Sequence, residues 1–189
     1  MCKESDTKLI ARAKKDPEAF GLLYERYVDR IYNYIYYRTS NHHDAEDLTA
    51  RTFYRALKKM HHYVDRGAPF SAYLYRIAHN LVANWYRDNS RRQFISFDET
   101  VLAVLRREGP SIIAEKRAQK KDDRDMLLQT VRQLPSDRQQ LLILKFVEQM
   151  TNAEIGQVMG RTEGAIKSLY HRTLVALREE MVTDRGKDH

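Results

Sequence analysis

The sequence predicts an all-α protein with two small helical domains joined by a flexible linker. Apolar residues recur three and four positions apart, helix-capping residues precede these runs, and no segment is better explained as a strand than as a helix. A chain of 189 residues suits one domain or two small ones. We predict a first domain at 1–92, a linker at 93–124, a second domain at 125–183 and a tail at 184–189.

The first predicted helix begins at Asp16-Pro17, where an N-cap residue precedes a proline in the first turn. The stretch IYNYIYY within it alternates like a strand, but the helical spacing continues through it and favours helix. TSNHHD interrupts the pattern, and a second helix is predicted from about Asp44 to Tyr63. The residues predicted to face inward on this second helix are Ala45, Leu48, Thr52, Phe53, Ala56, Leu57 and Met60.

The third predicted helix, YLYRIAHNLVANWYRDNSRR at 73–92, follows a Gly/Pro turn at 66–69. At 100° per residue it separates into two faces. The apolar face contains Leu74, Ile77, Ala78, Leu81, Val82 and Trp85. The opposite face is polar and cationic, with no acid, and contains Arg76, His79, Asn80, Ala83, Asn84, Arg87, Ser90 and Arg91. A solvated helix face usually mixes both signs of charge, so this one predicts an anionic neighbour.

The aromatic residues of this helix have two interpretations, because aromatic rings both fill cores and stack on unpaired bases. Trp85 lies within the apolar stripe, and we predict that it packs in the core. Tyr73, Tyr75 and Tyr86 lie on the flanks of the stripe. For these three tyrosines, core packing and base contact both remain open.

Residues 93–124 have weaker periodicity, a Gly109-Pro110 break and the charged run EKRAQKKDDRD, and we interpret them as the linker. Pro135 then stops one helix and starts another. Two pairs have capping-box spacing at helix starts. These pairs are Ser136 with Gln139 and Thr151 with Glu154.

The segment TNAEIGQVMGRTEGAIKSLYHRTLVALREEM at 151–181 predicts a helix, a short turn and a second helix. Gly160 occupies a C-cap position and Thr162 an N-cap position. The inward residues of the second helix are Ile166, Leu169, Tyr170, Thr173 and Leu177. Its outward residues are Gly164, Lys167, Ser168, His171 and Arg172. Small, polar and cationic residues here are typical of a major-groove recognition helix, and an ordinary helical hairpin is the alternative.

The net charge of +7 is concentrated in the N-terminal half of the chain. Residues 1–92 hold 17 Lys/Arg against 11 Asp/Glu, whereas residues 125–189 hold 9 of each. A polyanionic partner is therefore expected mainly in the first half. The single cysteine, Cys2, and the lack of an apolar run in MCKESDTKL favour a reducing, cytoplasmic location.

Enzymatic or metal chemistry is not predicted, and no cofactor is expected. His42-His43-Asp44 resembles part of a metal-dependent phosphohydrolase motif, but that chemistry needs a further histidine upstream and none precedes residue 42. We interpret these residues as an exposed turn, and His61-His62 as a solvated helix end. No nucleophile is paired with a base, and no phosphate-binding loop is present in the sequence.

Four segments in order resemble the extracytoplasmic-function (ECF) sigma factors of the sigma-70 family. DPEAFGLLYERYVDRIYNYIYYR resembles the first helix of that family, and DAEDLTARTFYRAL resembles its region 2.2. FSAYLYRIAHNLVANWYRDNSRR is similar to regions 2.3 and 2.4. LPSDRQQLLILKFVEQMTNAEIGQVMGRTEGAIKSLYHRTLVALRE is similar to region 4, with Gly156 where the family usually has Ala.

The resemblance implies that the predicted first domain is sigma domain 2, that the second is the helix-turn-helix sigma domain 4, and that the chain is a transcription initiation factor. Such a factor binds core RNA polymerase, through its β′ and β subunits, and promoter DNA. The residues implied in polymerase binding are Asp44, Glu46, Asp47, Leu48 and Arg51, although the acids among them also suit a helix N-terminus. The residues implied at the −10 element are Arg76, His79, Asn80, Asn84, Arg87 and Arg91, with the loop from His62 to Phe70. The residues implied at the −35 element are the five outward residues near the start of the recognition helix.

The same resemblance implies that the linker runs through the polymerase toward its active site and RNA exit path. It also implies an anti-sigma protein as a further partner, often membrane-bound, which would hold the chain at the inner membrane face. The alternative function is a stand-alone regulator with a LuxR-like helix-turn-helix. Such a regulator needs an α/β ligand or phosphoacceptor domain, and the N-terminal half has no strand pattern of that kind.

Overall fold

The computed structural model describes residues 4–65, 67–88, 129–131 and 133–183, the last four of these by backbone alone. The protein is all-α, and the described residues contain no strand. They divide into an N-terminal and a C-terminal compact unit. The predicted linker, Ser90 and Arg91 lie outside the described residues, and the predicted domain boundaries stay predictions.

The N-terminal unit contains four α-helices and one short 3₁₀ turn. They are α1 (Asp6–Ala13), α2 (Pro17–Thr39), α3 (His42–Lys58), the 3₁₀ turn (Met60–His62) and α4 (Phe70–Asp88). The short helix α1 was not predicted from the sequence. It packs on α2 and buries Leu9, Ile10 and Ala13.

The start of α2 follows the prediction, because the Asp16 carboxylate accepts a hydrogen bond from the Glu18 N–H at 2.9 Å. The helix continues through IYNYIYY to Thr39, so the helical interpretation of that stretch is confirmed. It ends at Ser40, which adopts a left-handed conformation with φ of 51°. Tyr34 is fully buried in the middle of the unit.

Helix α3 begins earlier than predicted, because the Asn41 side chain caps it by accepting a hydrogen bond from the Asp44 N–H at 3.0 Å. The prediction of a turn at His42 and His43 is therefore wrong, although both residues are exposed as expected. Leu57, predicted to face inward, is 38% exposed. The helix ends before the 3₁₀ turn, where His61 and His62 form the expected exposed helix end.

Helix α4 packs against both α2 and α3, which makes its buried sector wider than the predicted stripe. Tyr75 and Tyr86 are 0% and 4% exposed, so both are core residues. The Tyr75 ring meets the Tyr34 ring edge-on, with 5.1 Å between centroids. Trp85 is only partly buried, and the prediction of a core Trp85 is wrong.

The C-terminal unit contains α5 (Ser136–Leu142), which continues into a π-helical turn (Ile143–Val147), then α6 (Asn152–Met159) and α7 (Glu163–Thr183). The predicted capping box at its start is wrong. Pro135 occupies the N-cap position, and Ser136 is already the first helical residue. Gln139 is buried instead and donates from Nε2 to the Val131 carbonyl at 3.0 Å, so its side chain ties α5 to the segment before it.

The second predicted capping box is confirmed. The Thr151 N–H donates to the Glu154 carboxylate at 2.7 Å, and the Glu154 N–H donates to Thr151 Oγ1 at 3.3 Å. Gly160 ends α6 in a left-handed conformation with φ of 67°. Thr162 Oγ1 accepts the Ala165 N–H at 3.2 Å at the start of α7. Caps at both sides of the turn therefore define the helix-turn-helix.

The turn between α6 and α7 folds directly back onto Gly156. The Gly156 carbonyl accepts the Arg161 N–H at 2.9 Å. A Cβ at residue 156 would lie 2.6 Å from the Arg161 carbonyl oxygen, closer than van der Waals contact allows. The absence of a side chain at this position is therefore what permits the close approach of turn and helix.

We expect Gly156→Ala to destabilise the C-terminal unit by about 1–3 kcal/mol, because the backbone of the turn must move away. Gly164→Ala is the matched control. A Cβ there meets no atom within 4 Å, and alanine favours helix over glycine by up to about 1 kcal/mol. Urea unfolding followed by circular dichroism checks both variants, and equal stability of the two would contradict the steric explanation.

Candidate nucleic-acid and polymerase interfaces

The second helix of the helix-turn-helix, α7, has the two faces that were predicted. Ile166, Leu169, Thr173 and Leu177 are buried, and Tyr170 is half-buried beside Phe146. All five residues predicted to contact the −35 element are exposed: Gly164, Lys167, Ser168, His171 and Arg172. The helix therefore presents a continuous small, polar and cationic surface near its N-terminus.

Ion pairs partly neutralise the cations of this surface. Lys167 Nζ lies 2.8 Å from the Glu163 carboxylate one turn earlier. Arg161, in the turn, pairs with Asp137 at the start of α5 at 3.1 Å. Lys167 must exchange Glu163 for any phosphate or base that it binds. Exposed pairs of this kind contribute at most about 1 kcal/mol, so the exchange costs little.

The outward face of α4 presents three of the residues predicted for the −10 element as exposed side chains. Arg76 and Asn80 lie one turn apart, and Arg87 follows two turns later, 3.5 Å from the Asp88 carboxylate. Asn84 is partly buried. The described part of this face therefore has two guanidinium groups with amides beside them.

A pocket of about 270 Å³ opens between α4 and the end of α3. The residues that line it are Arg55, Lys59, Tyr73, Arg76, Ile77 and Asn80. Three are cations, one supplies a phenol ring, one supplies an amide, and none of these lining residues is acidic. Burial raises the pKa of the Tyr73 phenol, so the ring stays neutral at physiological pH.

Sequence reasoning missed Arg55 and Lys59, because both belong to α3 and meet the α4 residues only in the folded unit. Their four-residue spacing on one helix face is the signal that the sequence contains. Tyr73 packs edge-on against Tyr63, with 5.0 Å between ring centroids. The aromatic wall of the pocket is therefore held in place by a second ring.

His79 differs from the other predicted −10 residues because it lies on the flank of α4 that packs against α2. It is half-buried, and its Nδ1 lies 3.1 Å from a guanidinium nitrogen of Arg38. Burial, together with the charge of Arg38, lowers the pKa of His79 to about 4. His79 is therefore neutral at physiological pH and adds no charge to the surface.

The five residues predicted to bind polymerase do not share one environment. Glu46, Asp47 and Arg51 are exposed on α3, and Asp44 is partly buried near the helix start. The Asp47 carboxylate and the Arg51 guanidinium lie 3.4 Å apart. Leu48 is 1% exposed, so it packs in the core and supports the helix from within.

An aromatic residue that was not predicted lies on the same face of α3. Tyr54 is 65% exposed and follows Asp47 by seven residues, which places both on one stripe of the helix. Exposed tyrosines beside charged residues are typical of protein interfaces. The outer face of α3 is thus an acidic and aromatic surface, unlike the cationic pocket at its end.

No group of three or more His, Cys, Asp or Glu side chains in the described parts of the chain is arranged to hold a metal ion. None of the helices in those parts is both long and apolar enough to cross a bilayer.

Family models match both halves of the chain. Sigma-70 region 2 matches residues 23–92, and Sigma-70, region 4 matches residues 124–177. Together the two matches cover more than half of the chain. The N-terminal match is to a sigma domain, and nothing in the comparisons favours a stand-alone LuxR-like regulator.

Known proteins agree with these matches. The chain is 35% identical over 178 residues to the ECF RNA polymerase sigma factor BldN of Streptomyces coelicolor, covering 94% of this chain and 66% of BldN. It is 27% identical over 179 residues to the ECF RNA polymerase sigma factor SigW of Bacillus subtilis, covering 92% of this chain and 95% of SigW.

A solved structure shows the same fold. It is the sigma factor RpoE in complex with the anti-sigma factor NepR from Bartonella quintana, with a TM-score of 0.59 and 17% identity. The match covers 87% of this chain and 98% of that one. Fold, family models and relatives agree, and the chain belongs to the ECF RNA polymerase sigma factors of the sigma-70 family.

Proposed function

We propose that this chain binds core RNA polymerase, directs it to a promoter with −35 and −10 elements, and promotes opening of the duplex. One observation carries the proposal. A single chain presents a capped helix-turn-helix in one unit and a cationic pocket with an aromatic wall in the other. Duplex recognition and capture of unpaired bases are different tasks, and transcription initiation needs both.

The pocket between α3 and α4 is where we propose that an unpaired base of the −10 element binds. Its volume of about 270 Å³ accommodates a nucleobase, and Tyr73 offers a ring for stacking. Stacking contributes about 1–3 kcal/mol per base, comparable with the cost of removing one base from the duplex. Arg55, Lys59 and Arg76 would hold the phosphates on either side.

The exposed face of α7 is where we propose that the −35 element binds. Lys167 and Arg172 would contact phosphates or guanine edges in the major groove, with Ser168 and His171 beside them. Gly164 leaves room for close approach of the DNA backbone. Because residues 125–189 carry no net charge, we expect this unit to bind DNA weakly without polymerase.

The outer face of α3 is where we propose that the polymerase β′ subunit binds, through Asp44, Glu46, Asp47 and Arg51, with the β subunit as a further contact. Tyr54 extends this face as an exposed aromatic residue. Leu48 is left out of the direct contacts because it is buried.

We further propose that the chain acts in the cytoplasm, that it is not itself an enzyme, and that it needs no cofactor. An anti-sigma protein is a proposed partner, since the sigma factor RpoE, which shares this fold, is solved with the anti-sigma factor NepR. Such a protein would hold the chain at the inner membrane face until a signal releases it. Residues 93–124 are proposed to connect the two DNA-binding units inside the polymerase.

The polymerase face is tested by Glu46→Arg combined with Asp47→Arg, two exposed residues whose replacement leaves the core intact. We expect the double variant to lose binding to core polymerase by at least about tenfold, because it reverses the charge of the proposed contact. Transcription from a library of random promoters, with and without the protein, measures selection and yields the promoter motif.

The matched control is Glu25→Arg combined with Asp29→Arg, which makes the same charge change on exposed residues of α2. This control should bind core polymerase like the wild type. If polymerase ignores the wild-type protein while the protein alone binds duplex DNA, the sigma-factor function is refuted.

The −10 pocket is tested by Arg76→Ala. We expect weaker binding of holoenzyme to single-stranded −10 DNA, and a salt dependence of log K that is shallower by about one, because one phosphate contact is lost. Arg12→Ala, which removes an exposed arginine of α1, is the control and should change neither quantity. An unchanged salt slope for Arg76→Ala would remove this residue from the DNA surface.

A further inference from the structure

Arg38, near the end of α2, is a buried cation for which the proposed DNA and polymerase contacts give no role. It is 3% exposed. One guanidinium nitrogen contacts the Tyr34 hydroxyl at 3.1 Å and His79 Nδ1 at 3.1 Å. The guanidinium also lies 5.8 Å from the Tyr34 ring centroid and 6.0 Å from that of Tyr86. Among the described atoms, Arg38 Nε has no hydrogen-bond partner.

Burying the guanidinium of Arg38 is energetically unfavourable. A guanidinium does not lose its proton in a protein, and burying a charge without a carboxylate costs several kcal/mol. No carboxylate in the described part of the chain forms an ion pair with Arg38. The two tyrosine faces and the carbonyl end of α2 provide partial compensation. A buried cation retained at this cost calls for a role.

The contact between Arg38 and His79 determines where the imidazole carries its proton. A guanidinium only donates hydrogen bonds, so His79 Nδ1 must accept and must be unprotonated. The proton of the neutral ring is then on Nε2. An imidazolium would place a second cation beside Arg38, and this repulsion adds to burial, the larger cause, in lowering the pKa of His79 to about 4.

We propose that Arg38 is a positioning residue of the α4 surface: it holds His79 in one orientation and one neutral tautomer, so that the −10 surface keeps the same charge and hydrogen-bonding pattern across physiological pH. The placement of His79 rests on the described contacts. Its consequence for promoter DNA rests on the proposed function. Among the described residues, the ionisable groups whose rings lie beside the Arg38 guanidinium include Tyr34 of α2 and Tyr86 of α4, both phenols.

The backbone of Arg38 makes a second tie to α4, because its carbonyl accepts a hydrogen bond from the Tyr86 hydroxyl. One residue thus contacts α4 at positions 79 and 86, two helical turns apart. The backbone tie does not depend on the side chain. We therefore expect variants at position 38 to keep α4 in place while changing the environment of His79.

The first test is nuclear magnetic resonance of the full chain, with ¹⁵N-labelled histidine to report the tautomer and titration of His79. In the wild type we expect the Nε2–H form, titrating near pH 4. Arg38→Met should move the titration upward by up to about one pH unit, since burial, the larger cause of the lowered pKa, remains, and it should mix the tautomers. Arg38→Lys, which retains charge and a donor, should stay close to the wild type.

Arg30→Met is the matched control, since Arg30 is an exposed arginine of the same helix that lies over the Tyr75 ring. It should leave the His79 titration unchanged. If Arg38→Met leaves the tautomer and the titration as in the wild type, the proposed role of Arg38 is overturned. Circular dichroism confirms that each variant is folded. If Arg38→Met does not fold, Arg38→Lys decides the question: the Nε2–H form of His79 supports the proposal, and a mixture of tautomers overturns it.

The second test measures open-complex formation at about pH 5 and pH 8. The ratio of the two rates should change about twofold in Arg38→Met relative to the wild type, since about half of its His79 is then protonated at the lower pH, and combining it with His79→Gln should return the ratio to the wild-type value. An equal loss at both pH values would overturn the link to the DNA surface. If the wild type opens no promoter at all, the proposed function fails, and the magnetic resonance result still decides the pairing.

Discussion

The packing of α4 against two helices at once is the constraint on which the N-terminal unit depends. Tyr75 meets Tyr34 of α2, and Phe70, 1% exposed, lies near Tyr27 of α2 with 6.1 Å between ring centroids. Burial of each large side chain contributes about 1.5–3 kcal/mol. With that side of the helix committed to the core, Arg76 and Asn80 face outward beside the end of α3, and a cationic pocket forms there.

The two units carry their charge in different ways, and this has functional consequences. In the N-terminal unit, cations from α3 and α4 converge on one pocket whose described lining includes no acid. In the C-terminal unit, Lys167 and Arg161 are already paired with Glu163 and Asp137. Cations that converge on one pocket attract a polyanion. Cations that are already paired with acids attract it less, so binding there depends more on how well the contacting groups match. The first arrangement suits strand capture and the second suits selective readout.

Close backbone contacts position both helices that are proposed to face DNA, α4 and α7. In the C-terminal unit, the absence of a Cβ at Gly156 lets the turn before α7 rest on α6. In the N-terminal unit, the Arg38 carbonyl accepts a hydrogen bond from the Tyr86 hydroxyl of α4. Recognition of bases requires side chains held to within a fraction of an ångström. These two contacts therefore support the surfaces proposed to recognise DNA.

The sequence by itself determined the helices and most of their ends, because those depend on neighbours within four residues. Asp16 before Pro17, the Thr151–Glu154 box and Gly160 all act locally, and each acts in the structure as the sequence predicts. The outward face of α7 follows in the same way from helical periodicity within a single segment.

Only the tertiary structure decided which side chains fill the core and which meet across helices. Tyr75 and Tyr86 are buried in the core, whereas Trp85, which was predicted there, is only partly buried. Helix α4 packs against two helices rather than one, and a single apolar stripe does not predict that arrangement. Pro135 rather than Ser136 takes the N-cap position of α5, and Gln139 reaches Val131. The pocket residues of α3 and the pairing of Arg38 with His79 join positions far apart in the chain. Local periodicity contains no information about such contacts, since they depend on the relative placement of whole helices.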